Sequence, residues 1–175
     1  MTLSPAHLFL LLPFLYLAAV SLPLTIIDLK QHRLPNKLVL PGYLVMLAGL
    51  LGYVTFSLLT QRGNEVWVFA GEVLLCAAGY FGFLFLLSYL GGMGMGDVKL
   101  AGVLGGTAAM LSLAAAVCSV LLAFVIGGLV SLVVLAVRRK RGIRIPFGPF
   151  MLVGFWISAG FAVLVPLLNQ ASPIA

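Results

Sequence analysis

The acidic residues of this 175-residue chain are its best candidates for chemistry, because there are only four of them in an otherwise apolar sequence. They are Asp28, Glu65, Glu72 and Asp97. Glu65 is explained by solvation in a short polar loop, whereas Glu72 lies within a long apolar run, where a carboxylate is costly and is by default a functional candidate. Asp28 and Asp97 each border an apolar run. If these two meet, one carboxylate can act as a base on water while the other donates a proton to a carbonyl oxygen.

Each aspartate also has a simpler structural explanation. Asp28 in "DLKQHRLPN" can pair with Lys30 or Arg33 at a membrane boundary, and Asp97 can cap the helix beginning at Val98. A cap does not explain the run of glycines before Asp97 in "GGMGMGDVKL", which includes Gly94 and Gly96. Glycine permits backbone bends and the close approach of another chain. The pattern therefore favours a flexible, hydrophilic notch at the membrane edge.

The composition excludes an ordinary soluble domain, since 63% of the residues are hydrophobic and only 8% are charged. The apolar runs are long enough for membrane helices, which need about 20 residues each. They predict spans at residues 6–27, 38–59, 66–90, 98–111, 113–137 and 148–168. The predicted fold class is therefore an all-α polytopic membrane protein with about six transmembrane helices, forming a single membrane-embedded domain over residues 1–175.

The net charge of +6 is concentrated in loops between apolar runs. The loop at 138–144 holds five basic residues, a pattern that sets membrane topology and contacts anionic lipid. It is not the basic face of a soluble nucleic-acid-binding domain. The basic excess places loops 28–37, 91–99 and 138–144 in the cytoplasm and both termini outside. Asp28 and Asp97 are then expected on the same face of the membrane.

Three motifs, in this order along the chain, resemble those of the type IV prepilin peptidase family, which includes the archaeal preflagellin peptidases. Asp28 precedes Leu34-Pro35-Asn36, where the family has an aspartate before an Ile-Pro-Asn turn. The segment "GMGD", residues 94–97, matches the GxGD motif of the family. The segment "IPFGPF", residues 145–150, stands at the entry to the last predicted span.

The resemblance implies a membrane aspartic endopeptidase that removes a short basic leader from prepilin-like or pseudopilin-like proteins. It implies Asp28 and Asp97 as the catalytic pair, with no metal and no cofactor. It also implies a bacterial cytoplasmic membrane location, with lipid as a partner and the active site near the cytoplasmic face. Supporting or substrate-binding roles are expected for Pro35, Asn36, Gly94, Gly96, Lys99, Pro146, Gly148 and Pro149.

Many bacterial members of this family carry an additional cytoplasmic region with paired CxxC motifs, which is associated with N-methylation. Cys76 and Cys118 form no such pair. We therefore expect a peptidase-only form without methyltransferase activity. Two alternatives remain: a proton- or ion-coupled transporter with its acids as a relay, and a non-catalytic pilus-assembly protein. The position of both aspartates near one face and the lack of an obvious inverted repeat favour the peptidase over the transporter.

Overall fold

The computed structural model describes residues 5–60, 63, 65–91, 93–138 and 146–171. Within these ranges the chain forms six α-helices and no strand. They are α1 (Ala6–Gln31), α2 (Asn36–Leu59), α3 (Glu65–Tyr89), α4 (Met95–Ala109), α5 (Leu113–Arg138) and α6 (Gly148–Ala171). Five of these six described helices, all except α4, are long and apolar enough to cross a membrane. The predicted all-α polytopic membrane architecture is confirmed.

The outer surface of the bundle is apolar. Leu22 of α1 and Leu75 of α3 are each 73% exposed, and Leu44 of α2 is 71% exposed. Side chains of this kind suit contact with lipid tails, because a soluble domain would bury most of them. The basic residues Arg139, Lys140, Arg141 and Arg144 lie outside the described residues, as does Ile145. The placement of both termini outside the membrane therefore stays a prediction.

The short helix α4 lies in the middle of the bundle. All of its residues from Leu100 onward are buried, and it packs against α2, α3, α5 and α6. The absence of a side chain at Gly102 leaves room for the phenol group of Tyr43. A Cβ at Gly105 would lie only 2.7 Å from the backbone oxygen of Cys76. Small residues let helix backbones approach closely within a membrane, so these glycines explain how α4 fits between its neighbours.

Two chain reversals determine which helix ends meet. Residues 110–112 join α4 to α5, at the boundary between the predicted spans 98–111 and 113–137. The helices α2 and α4 run in the same direction, because Gly42 packs against Val103 and Met46 packs against Gly106. The start of α4 therefore lies at the same end of the bundle as the start of α2.

The turn between α1 and α2 brings the end of α1 to this location as well. His32 ends α1 in the left-handed conformation, with φ 51°, and its amide donates to the carbonyl oxygen of Asp28 over 2.8 Å. Pro35 is extended, with φ −71° and ψ 127°, and α2 begins at the next residue. Leu34 is buried within the turn. The end of α1 and the starts of α2 and α4 thus form one end of the bundle, which we call the aspartate end.

Candidate active site

Asp28 is buried in the last turns of α1, with 4% of its surface exposed. Its Oδ2 atom accepts a hydrogen bond of 3.1 Å from the backbone amide of Gly148. Gly148 is the first residue of α6, so its amide is one of the donors that a helix leaves without an internal partner. An anionic side chain at that position is favoured by the hydrogen bond and by the helix dipole together. The contact therefore offsets part of the cost of burying a charge at Asp28.

Gly148 is glycine for a steric reason. A Cβ at this position would lie 2.7 Å from Oδ2 of Asp28, closer than van der Waals contact allows. The neighbouring Pro149 fits the first turn of a helix, because its missing N–H has no partner to lose there. Pro146 is half-buried just before the helix. The segment "PFGP" thus starts α6 directly against the Asp28 carboxyl.

Leu34 connects the surroundings of the two aspartates. A Cβ at Gly96, next to Asp97, would lie 2.9 Å from the Cβ of Leu34 and 3.3 Å from its backbone nitrogen. A Cβ at Gly148 would lie 3.4 Å from Cδ1 of the same leucine. The turn before α2 is therefore packed between the start of α4 and the start of α6. The sequence alone indicates Leu34 only as part of a turn.

Asp97 lies in the first turn of α4 and is half-buried. The helix begins at Met95 with Gly94 as its N-cap, so the interpretation of Asp97 as an N-cap is wrong. Burial, and then the negative charge of Asp28, raise the pKa of Asp97 to about 7, although a backbone hydrogen bond with Gly94 opposes them. The structure therefore brings the two aspartates within electrostatic range of each other. At neutral pH, Asp97 holds a proton for a substantial part of the time.

Lys99 does not turn toward Asp97. Its Nζ atom donates to Oδ1 of Asn36 over 3.1 Å, and its backbone oxygen accepts a bond of 2.7 Å from the hydroxyl of Tyr43. Asn36 is the first residue of α2, and Pro35 precedes it as the cap. These contacts join the starts of α2 and α4. Lys99 follows Asp97 by two residues, so the bond to Asn36 lies close to this aspartate along α4.

The structure separates Glu72 from this site and adds Tyr80 to its surroundings. Glu72 is exposed on α3, in the half of the helix that begins at Glu65, away from the aspartate end. Tyr80 is buried on α3, and the charge of Asp97 acts on its hydroxyl group. No sequence signal indicated Tyr80, because a tyrosine within an apolar run is typical of any membrane helix.

The arrangement is suited to proton transfer between water and a carbonyl compound. Burial disfavours the charge on Asp28, whereas the amide of Gly148 donates to this carboxyl group and favours its charged form. At Asp97, burial and the charge of Asp28 both favour the protonated form. Because the two groups interact, their protons leave in two steps that belong to the pair. In the described part of the chain, no group of three or more His, Cys, Asp or Glu side chains is placed to hold a metal ion.

Comparison with known proteins gives one family. The sequence profile of the type IV leader peptidase family matches residues 15–132, which is more than half of the chain and includes both aspartates. Several relatives are each named "Prepilin leader peptidase/N-methyltransferase". The protein of Aeromonas hydrophila is 32% identical over 159 residues, covering 90% of this chain and 51% of its own length. The protein of Escherichia coli (strain K12) is 31% identical over 150 residues, covering 85% of this chain and 62% of its own length.

The protein of Aeromonas salmonicida is 34% identical over 163 residues, covering 90% of this chain and 51% of its own length. The chain thus spans about half the length of most of the curated relatives it matches. No solved structure gives a significant match. Since the family profile covers both Asp28 and Asp97, and the relatives align over most of this sequence, the chain belongs to the type IV leader peptidase family.

Proposed function

We propose that this protein is a membrane aspartic endopeptidase that cleaves the basic leader from type IV prepilin-like proteins. Asp28 and Asp97 are the catalytic pair, and water is the second substrate. Family membership and the names of the relatives support the peptidase activity. The observation that supports the aspartate mechanism is that the carboxyl groups of Asp28 and Asp97, buried and half-buried, lie at the same end of the bundle and act on each other electrostatically.

The different surroundings of the two carboxyl groups assign their roles. Asp28, held by the amide of Gly148, is the base that removes a proton from water. The water oxygen bonds to the carbon of the scissile carbonyl, while Asp97 gives its proton to the carbonyl oxygen. When the carbon–nitrogen bond breaks, the proton on Asp28 passes to the leaving amine. Asp97 then recovers a proton from a hydroxyl group of the tetrahedral intermediate, and the pair returns to its starting state.

The charges near the site support cleavage at the cytoplasmic face. Lys30 and Arg33 are exposed at the aspartate end, and Lys37 is exposed in the first turn of α2. Basic residues next to membrane helices are enriched on the cytoplasmic side. The location of both aspartates at this end also favours a peptidase over a transporter, whose binding site is expected near the middle of the membrane.

The substrate must present an extended backbone to this pair. A peptide bond within a helix is protected by its own hydrogen bonds and by its side chains, so a scissile bond just before a hydrophobic helix is the accessible one. Gly94 is exposed beside Asp97 and has open space except for the Oδ2 atom of that aspartate, 3.5 Å from a Cβ position. We assign this surface to the approach of the substrate backbone.

The test uses the full chain, purified in lipid or detergent, with a prepilin-like substrate that carries a basic leader. Cleavage is measured as a loss of leader mass. The parent protein is expected to cleave, and Asp28→Asn and Asp97→Asn are each expected to lower the rate by at least a thousandfold, in line with removal of a general acid or base from a unit that acts together.

Glu65→Gln is the matched control, because it also removes a carboxylate but from the exposed start of α3. It is expected to cleave at the parental rate. All variants are compared only after their thermal unfolding shows that they are folded. Undiminished cleavage by both aspartate variants would overturn the mechanism. A folded parent that cleaves none of several prepilins would overturn the function.

A further inference from the structure

Asp28 and Asp97 belong to different helices, and two further helices connect them. Both α1 and α4 pack against α2 and against α6. On the α6 side, the amide of Gly148 holds the Asp28 carboxyl group. Two carboxyl groups that exchange protons with one substrate need a fixed separation, because a misplacement of about 1 Å can lower a rate by roughly a hundredfold. The contacts between α2 and α4 are therefore expected to hold Asp97 in its place.

Tyr43 joins α2 to the backbone of α4 close to Asp97. Its hydroxyl group donates to the carbonyl oxygen of Lys99 over 2.7 Å. Lys99 follows Asp97 by two residues, which is about 3 Å along the helix axis. Tyr43 and Lys99 are both half-buried, so water competes less for this bond than it does at an exposed site. The bond thus restrains the part of α4 that carries the aspartate.

Gly102 leaves the room that this bond needs. A Cβ at Gly102 would collide with the hydroxyl oxygen of Tyr43 and would lie 3.0 Å from its Cζ atom. The phenol group therefore lies directly against the backbone of α4. A phenylalanine side chain would fill nearly the same volume, so the hydrogen bond to the Lys99 carbonyl is what the hydroxyl group adds.

Two other described contacts reach the start of α4 from the same side of the bundle, and both restrain it less. Leu34 packs at Gly96, but an apolar contact has no preferred direction. Asn36 accepts a bond of 3.1 Å from the Lys99 amine, but this pair is exposed, and water can replace either partner. The Tyr43 bond is therefore the strongest directional restraint among these three contacts.

We propose that Tyr43 is a positioning residue of the active site, whose bond to the Lys99 carbonyl fixes the first turns of α4. It thereby keeps the carboxyl group of Asp97 at the distance from Asp28 that the exchange of protons requires. This inference rests on the proposed function and adds a residue to it. Like charges repel, so without the bond the start of α4 is expected to move away from Asp28 whenever both carboxyl groups are charged.

The first test compares Tyr43→Phe with Tyr16→Phe as a matched control. Tyr16 is also half-buried and donates across a helix contact, to the backbone oxygen of Leu38 over 2.6 Å. Each substitution removes one hydrogen bond, so each is expected to lower the melting temperature, Tm, by a similar amount. In Tyr43→Phe we expect at least a tenfold lower kcat for leader cleavage, with KM within about twofold of the parent, because the change affects the chemical step. We expect parental kcat in Tyr16→Phe, because residues 32–35 also join α1 to α2.

Gly102→Ala tests the same contact from the α4 side. In the parent, the added Cβ would meet the hydroxyl oxygen of Tyr43, so the phenol group must leave its position and kcat is expected to fall. Tyr43→Phe lacks that oxygen, so Gly102→Ala is expected to lower kcat less in this background than in the parent. Residues in direct contact show such coupling, whereas independent sites have additive effects. Fully additive effects of the two substitutions on the logarithm of kcat would overturn the inference.

A further measurement does not depend on cleavage. Spin labels are placed at the exposed positions of Leu29 on α1 and Met95 on α4, in a protein whose native cysteines have been replaced by alanine. The distance distribution between the labels is expected to broaden or to shift to longer values in Tyr43→Phe but not in Tyr16→Phe. An unchanged distribution in Tyr43→Phe, an equal change in Tyr16→Phe, or a parental kcat in Tyr43→Phe overturns the inference. If the parent cleaves no prepilin while the distribution changes as expected, the failure counts against the proposed function alone.

Discussion

The backbone amide of Gly148 and the carboxyl group of Asp28 are joined by a hydrogen bond of 3.1 Å across 120 positions of the sequence. The contact links α1 to α6 at the aspartate end of the bundle. It also combines two requirements in one residue, because the amide must donate and the position must carry no side chain. Gly148 is therefore part of the site, although glycine has no side chain to take part in chemistry.

Gly148→Ala is expected to abolish most of the activity without preventing insertion into the membrane. The added Cβ would lie 2.7 Å from Oδ2 of Asp28, so the amide and the carboxylate must separate. Loss of a hydrogen bond to a charged group costs about 1.5–3 kcal/mol, which corresponds to a roughly ten- to hundredfold lower rate. Gly160→Ala in the same helix is the control, since nothing lies within 4 Å of its Cβ position. Parental cleavage rates in Gly148→Ala would show that the amide contact is dispensable.

The two glycines of "GMGD" are expected to differ in their tolerance of alanine. In Gly96→Ala the new Cβ meets Leu34 at 2.9 Å, and overpacking of this kind costs about 1–3 kcal/mol. We expect a lower Tm and at least a tenfold lower cleavage rate. In Gly94→Ala the nearest atom is Oδ2 of Asp97 at 3.5 Å, and its backbone angles, φ −77° and ψ 144°, suit any residue. It should keep most of its activity. The reverse order of the two variants would contradict this account of the motif.

Cleavage is expected to decline as the pH rises through about 7. The pKa of Asp97 is raised to about 7 by burial and by the charge of Asp28. Above that pH Asp97 loses the proton that the proposed mechanism gives to the carbonyl oxygen. The measurement is kcat/KM between pH 5 and 9 with one substrate and constant ionic strength. A rate that stays constant from pH 6 to 9 would show that the proton on Asp97 is not needed.

The same shift predicts how stability depends on pH. The unfolded chain has an ordinary aspartate pKa of about 3.9, so between roughly pH 4 and 7 the folded protein binds more protons at Asp97. Folding is therefore disfavoured progressively as the pH rises through this range. Asp97→Asn removes the ionisation, and its Tm should exceed the parental Tm by more at pH 8 than at pH 5. Thermal unfolding at both pH values checks this, and an equal difference at both would refute it.

Glu72→Gln is expected to leave cleavage within about twofold of the parent. Glu72 is exposed on α3 in the half of the helix that begins at Glu65, so it cannot exchange a proton with the aspartate pair. Removal of a carboxylate from a membrane-facing position is also expected to stabilise the inserted protein. The rate and the Tm are measured side by side. A large loss of activity in a protein with unchanged Tm would assign Glu72 a role that its position does not suggest.

The fold follows from the sequence because its main determinant is the length of the apolar runs. Runs of about 20 residues or more predict membrane helices without any knowledge of their partners, as in α1 or α3. The division between the predicted spans 98–111 and 113–137 follows from length, because one helix over this whole stretch would be about 60 Å long and would exceed one bilayer. The reason for the many glycines of α4 is visible only in the structure, where Gly102 lies against Tyr43 and Gly105 lies against Cys76.

The site was predictable only to the level of which residues share an end of the bundle. Successive loops alternate between the two sides of the membrane, which predicts Asp28 and Asp97 on the same face. No pattern in the sequence indicates that the amide of Gly148 donates to one of them. A long-range contact of a backbone atom does not depend on residue type, except where close packing requires glycine. Tyr80 left no mark at all, since its burial and its missing partner depend on how α3 and α4 pack.

The bond between Gly148 and Asp28 also determines when the protein becomes competent during its synthesis. Both aspartates leave the ribosome well before Gly148, which opens the last described helix. A partly made chain that has inserted α1 to α5 therefore carries both acids but lacks the amide that holds Asp28. We expect such a nascent chain to be unable to attack other membrane proteins beside it. We expect the proposed activity to appear only after α6 has entered the bilayer.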